Sequence, residues 1–205
     1  MKPKCSVYIA SSLDGFIARK DGGIDWLEFD SSDGSLDDSG PDDSGADDSG
    51  ADDSGEEDYG FAEFMASVDL ILMGRHTFEL LLTFDEWIYG DTPMIVLSSP
   101  LGPEAIPARL EGKVSITSGK PSAILEDLAE KGVQHVYVDG GITLQAFIDA
   151  GLIDEITVTL IPVLIGDGIP LFGPLHDDVR LEHVSTRSFP SGLVQVKYRT
   201  GRRGN

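Results

Sequence analysis

The stretch Asp69–Glu79, "DLILMGRHTFE", decides the fold. Leu70 to Met73 form a continuous apolar run of strand length, Gly74 breaks it, and Phe78, Leu81 and Leu82 then recur at helical spacing. A strand without apolar/polar alternation is buried on both faces, so helices must cover both sides of its sheet. The pattern repeats in both directions along the chain. "TPMIVLSS" (92–99) and "VQHVYVDGG" (133–141) read as buried strands, while "PSAILEDLAEKG" (121–132) and "ITLQAFIDAGL" (142–152) read as helices. Upstream, "CSVYIA" (5–10) is a strand feeding the turn "SSLDG". "GFIARKDGGIDWL" (15–27) is a short extended piece with a Gly-rich loop, and Phe61, Phe64, Met65 and Val68 have helical spacing. Downstream, "DEITVTLIPVLIG" (154–166) is a strand, and "VRLEHVSTRSF" and "LVQVKYRT", joined by "PSG", form an antiparallel pair. Strands alternating with helices predict an α/β fold with a mainly parallel sheet ending in a hairpin.

The 205 residues, 40% hydrophobic, suffice for one domain, predicted over 1–200 with a polar tail at 201–205. Formal net charge is -21, but 13 of the 36 acids lie between Asp30 and Asp58, leaving 23 acids against 15 bases elsewhere. Lys and Arg nowhere cluster beyond "GRRGN" at the end. Neither a nucleic-acid partner nor attraction to an anionic membrane is expected. The lone Cys5 excludes an internal disulfide and Cys-rich zinc frameworks. The N-terminal apolar run stops short of signal-peptide length and no run reaches a membrane span, so a cytoplasmic protein is expected.

Three predicted strand ends carry polar or glycine punctuation: "LMGRHT", "VLSSP" and "VDGGIT". Gly74 permits a sharp turn, and Arg75, His76 and Thr77 then fall at a helix amino end, where free N–H groups favour an anion. Arg75 offers a bidentate donor to a phosphate. Gly140 and Gly141 would let a pyrophosphate approach a second helix start. Ligands of such sheets sit at the carboxyl ends of the strands.

In this order, "SLDGFIA", "LMGRHTFE", "MIVLSSP", "VDGG" and "GLIDEITVTLIPVLIGDGIPLF" resemble the dihydrofolate reductase superfamily, especially the branch shared with the reductase domain of riboflavin biosynthesis. The resemblance runs from about Cys5 to Tyr198, interrupted by an acidic tract. It implies a three-layer α/β/α fold around a mixed, mainly parallel sheet. It also implies an NADPH-dependent reductase acting on a C=N bond of a pterin or related heterocycle. Ala10, Ile17 and Ala18 would border the nicotinamide. Gly74, Arg75, His76 and Thr77, with Ser98 and Ser99, would hold the adenine-side phosphates, and Gly140, Gly141, Ile142 and Thr143 the pyrophosphate. A rigid cationic fork at Arg75 suits a 2′-phosphate. Where dihydrofolate reductases often supply a second Arg after the glycine turn, this chain has Ile142 and Thr143. The branch also implies a homodimer.

Hydride delivery to C=N leaves charge on nitrogen, so such a reductase gains from a carboxylate that orients the heterocycle and favours its protonated form. Gapless reading back from "LMGR" places the superfamily's carboxylate at Asp58, whose competing role is a helix cap. Asp14 is the second carboxylate, either beside the substrate or a turn-former. Trp26, Phe61 and Thr159 complete the substrate side that the resemblance implies. The riboflavin branch commonly has Lys after "SLDG", where this chain has Phe16, which disfavours that branch's aminouracil substrate. A riboflavin-pathway 5-amino-6-(5-phosphoribosylamino)uracil reductase remains the enzyme alternative, and a nucleotide-binding module without catalysis is the non-enzyme one.

Asp37–Gly55, "DDSGPDDSGADDSGADDSG", lies within an acidic, low-complexity insertion at about 30–57 with almost no apolar residue. Adjacent Asp pairs every five residues lack the alternate ligands and terminal Glu of a calcium loop. His135, His176 and His183 have no ligand-like spacing, so no metal site is expected.

Overall fold

The computed structural model describes residues 2–27 and 58–201. The acidic insertion and residues 202–205 of the tail lie outside the described residues. Strands β1 (Lys4–Ser12) and β2 (Phe16–Ala18) precede helix α1 (Phe61–Ala66), β3 (Leu70–Gly74), α2 (Arg75–Leu81), β4 (Met94–Leu97) and β5 (Val114–Thr117). Then come α3 (Pro121–Glu130), β6 (His135–Asp139), α4 (Gly141–Asp149), β7 (Glu155–Ile161), β8 (Ile169–Pro170), β9 (Leu181–Ser188) and β10 (Val194–Thr200).

Eight strands form one sheet in the order β5-β4-β3-β6-β1-β7-β10-β9, and β2 pairs with β8 in a separate antiparallel ribbon. Every pairing from β5 to β7 is parallel, and β10 runs antiparallel to both β7 and β9. The mainly parallel sheet with a terminal hairpin is therefore present. Unanticipated is β5, whose four residues sit between turns and are too short to show a pattern. The strand expected through Gly166 ends at Ile161, because Pro162 follows and carries no N–H for a ladder.

Ile71 and Leu72 show why the sheet needs two covers. Both have no exposed surface, yet they belong to different apolar clusters. Leu72 faces Ile124, Leu125 and Leu128 of α3 and Leu144, Phe147 and Ile148 of α4. Ile71 faces Phe78 and Leu81 of α2, with Phe61 and Phe64 of α1 beside them. Cys5 lies in the first cluster, where burial pushes its thiol up to about 12 and leaves it inert as a nucleophile at neutral pH. A third, smaller cluster of Trp26, Ile161 and Leu193 contacts Ala10, Tyr59 and Phe189. No helix among the described residues is long and apolar enough to cross a membrane.

Candidate active site

Two strand-to-helix turns lie side by side because β3 pairs with β6, with Met73 opposite Asp139. Their glycines interlock. A Cβ on Gly140 would stand 2.2 Å from Thr77 Oγ1, and one on Gly74 would stand 2.7 Å from Thr143 Oγ1. Gly140 also has φ +83, a backbone state that favours glycine. A Cβ on Gly141 would stand 2.9 Å from Ile17 Cδ1, so Ile17 packs onto the glycine turn. The tertiary structure thus joins residues expected at the nicotinamide and at the pyrophosphate.

In sheet order, β4, β3, β6 and β1 present Ser98 and Ser99, then Gly74 to Thr77, then Gly140 to Thr143, then Ala10. This line spans three strand spacings, roughly 14 Å. Ser98 Oγ accepts from Leu101 N at 3.1 Å, fixing its own turn, and Ser99 is exposed. Arg75, the first residue of α2, donates to Glu79 Oε1 one turn along the helix at 3.1 Å and lies 2.6 Å from His76 Nε2. Thr143 is buried, whereas Ile142 stands 71% exposed on the first turn of α4. Ala18 is buried and paired with Ile169.

One carboxylate lies at this edge that the sequence reading did not single out. Asp139, the last residue of β6, accepts from Gly140 N at 2.8 Å and from Tyr89 Oη at 3.3 Å. Desolvation raises its pKa, outweighing the lowering effects of Gly140 N–H and the hydroxyls of Tyr89 and Tyr137. Tyr137 Oη in turn donates to Tyr8 O at 2.8 Å. The available signal was the period of two: Tyr137 and Asp139 share one face of β6, the face that α1 and α2 cover.

The carboxylates expected from sequence have other surroundings. Asp58 precedes α1 and accepts from Gly60 N at 2.8 Å and Ala62 N at 2.9 Å. Those N–H groups hold its pKa below the usual range, so it is an exposed, ionised helix cap. It also lines a cavity of about 280 Å³ with Tyr59, Gly60, Glu63, Arg187 and Phe189. Asp14 accepts from Ser12 Oγ at 2.6 Å and from Gly166 N at 2.7 Å, clamping the β1–β2 turn to the loop before β8. The Ser12 hydroxyl, then those backbone donors, lower its pKa.

Beneath Tyr59, next to Asp58 in the chain, lies a buried polar group that sequence reading also missed. Gln195 Nε2 points at Tyr8 Oη (2.8 Å), Tyr59 O (3.1 Å) and Thr159 Oγ1 (3.1 Å). Tyr8 Oη donates to Tyr59 O. Two donors thus converge on the carbonyl of Tyr59, whose φ of +54 is uncommon for a residue with a side chain. A polar Gln within the apolar alternation of "LVQVKYRT" was the legible hint. Phe61 packs 5.7 Å from the Tyr8 ring, and Trp26 is buried in the third cluster with its indole N–H lacking a partner among the described residues. No group of three or more His, Cys, Asp or Glu gathers as a metal site among the described residues.

Strand order and the glycine-lined edge define a protein of the dihydrofolate reductase-like fold. Dihydrofolate reductase from Enterococcus faecalis, solved with NADP(H), superposes with a TM-score of 0.59 over 97% of this chain and 96% of that one, at 15% identity. The chain belongs to the RibD C-terminal domain family, whose model matches residues 3–195. A protein from Shewanella sp. PV-4, assigned provisionally to riboflavin biosynthesis, is 35% identical with a TM-score of 0.78, covering 98% of this chain and 100% of that chain. The uncharacterized protein YwjB of Bacillus subtilis is 31% identical over 200 residues, spanning 97% of this chain and 98% of YwjB.

Proposed function

We propose that this chain is an NADPH-dependent reductase acting on a C=N bond of a pterin or related nitrogen heterocycle. The observation that carries the reading is the continuous edge from Ser98 through Gly74 and Gly140 to Ala10, with Asp139 at its centre. The residues fit the cofactor. Gly140 and Gly141 let Thr77 and Ile17 pack directly against the turn, which sets the amino end of α4, with its free N–H groups, where a pyrophosphate would meet it. Arg75 would pair with a 2′-phosphate. NADPH, when bound, supplies the hydride.

The chain's own groups would manage position and the proton. Ile17, seated on Gly141, would exclude water from the nicotinamide end, and Phe61 and Tyr8 would give the heterocycle an apolar wall. Asp139 would serve as the general acid. Burial keeps its proton to higher pH, and the Tyr89 hydroxyl holds Oδ2 in place. Asp58, ionised and fixed by two N–H groups, would instead orient an amino substituent. The exchange D58N against D139N separates the two roles by their effects on turnover.

The test is NADPH binding followed by NADPH consumption with dihydrofolate and with 5-amino-6-(5-phosphoribosylamino)uracil side by side. R75A is expected to weaken NADPH binding about tenfold and NADH binding much less. Tight NADPH binding without consumption across pterins and pyrimidines would favour a nucleotide-binding module. Absence of NADPH binding would refute the reading.

A further inference from the structure

We propose that Glu79 limits the chain's preference for NADPH over NADH by competing with a 2′-phosphate for the guanidinium of Arg75. This rests on the reductase reading and deepens it at the adenine end of the cofactor. Arg75 and Glu79 stand one turn apart on α2, and Arg75 Nη1 donates to both carboxylate oxygens, at 3.1 Å to Oε1 and 3.4 Å to Oε2. The other terminal nitrogen, Nη2, lies 2.6 Å from His76 Nε2. A guanidinium only donates, so His76 Nε2 accepts and its ring hydrogen sits on Nδ1. Both terminal nitrogens of Arg75 thus have partners before any ligand arrives.

A phosphate gains most from Arg when two parallel N–H groups meet two of its oxygens. A 2′-phosphate drawn to Arg75 shares those nitrogens with His76 and Glu79. The imidazole is neutral in this arrangement and yields a hydrogen bond alone. Glu79 differs, because its negative charge stays beside the guanidinium on the same helix face. The phosphate therefore meets a pair without net charge where a lone Arg would present a cation. No second cation compensates, since Arg75 is the one Lys or Arg in the turns 74–77, 98–101 and 139–143 that follow β3, β4 and β6.

NADH presents a hydroxyl at the same position. A carboxylate does not repel it and can accept its hydrogen, so the charge of Glu79 acts against one dinucleotide and spares the other. The two side chains are 37% and 44% exposed, so a ligand can reach the pair and solvent keeps the penalty modest. A pair that only stabilised α2 would affect both dinucleotides alike.

The experiment is titration of the whole chain with NADPH and with NADH, followed by nicotinamide fluorescence with no substrate added. E79Q should raise NADPH affinity about threefold to tenfold and change NADH affinity less than about twofold. E79K, which reverses the charge, should raise NADPH affinity further. An unchanged NADPH-to-NADH affinity ratio in E79Q, both affinities moving together, or an E79K ratio below that of E79Q overturns the proposal and leaves the cofactor reading standing. Failure of wild type and E79Q alike to bind NADPH refutes the cofactor reading itself, and the proposal with it.

Discussion

Replacing Gly140 by Ala tests the interlocked turns most directly. Two terms contribute. At φ +83 and ψ 148 the backbone occupies a region essentially reserved for glycine, and forcing a side chain there costs about 1–3 kcal/mol. The added Cβ also meets Thr77 Oγ1 at 2.2 Å and Thr77 Cβ at 3.3 Å, an overlap that Gly74 N, 3.8 Å away on the same turn, leaves little room to relieve. Overpacking of this kind costs about 1–3 kcal/mol more. The total of about 4 kcal/mol is a large part of a typical folding stability and corresponds to a fall of roughly 8–16 °C in Tm for a chain of this size. Gly22→Ala is the internal control: φ is +89 but nothing lies within 4 Å, so only the backbone term of about 1–3 kcal/mol remains. The assay is urea denaturation of G140A, T77A and the double variant. T77A should recover about 1–2 kcal/mol of the G140A loss in a double-mutant cycle. A G140A loss below about 1 kcal/mol, or strict additivity with T77A, would refute the steric argument for why glycine stands there.

Two further outcomes follow from the half-buried Asp139 and the buried Trp26. Asp139 has a folded pKa raised by desolvation above its unfolded value of about 3.9, so the stability linked to its proton is fully present below about pH 3.9. That stability is lost as pH rises through the raised folded value. D139N, which does not titrate, should therefore gain on wild type across that window in pH-dependent denaturation, while turnover falls about a hundredfold at unchanged NADPH affinity. An unchanged stability difference across the window would remove the burial argument. Trp26 is 7% exposed and its N–H has no acceptor among the described residues, so W26F sacrifices volume but no hydrogen bond to any of them. Denaturation should show a loss below about 1.5 kcal/mol for W26F against about 3–5 kcal/mol for W26A, and a W26F loss as large as that of W26A would point to a missed polar contact.

Much of the fold was legible because burial on two faces leaves a local mark. The unbroken apolar runs of β3, β4 and β6 predicted a mainly parallel sheet, and the split of Ile71 and Leu72 between opposite cores is its physical counterpart. β5 escaped notice because four residues carry no period. The glycine turns were legible too, since a positive φ or a close approach admits few other residues. Asp139 was overlooked within "VDGG" because its meaning depends on Tyr89, 50 residues away in sequence, and on the burial that shifts its proton affinity.

The sequence by itself determined which segments become strands and helices and which strand ends carry glycine, because propensity, hydrophobic period and backbone freedom are local properties. Only the tertiary structure decided that Gly74 meets Thr143 while Gly140 meets Thr77, and that Asp139 is half-buried with a raised pKa while Asp58 is an exposed, ionised cap. It likewise decided that Ala10, Thr159, Gln195 and Arg187 form one row. Strand order sets those neighbours, and it is fixed by pairings between residues distant in sequence, such as Met73 with Asp139 and Ala10 with Thr159. No local spacing encodes the desolvation, or the pairing partners, that such contacts create.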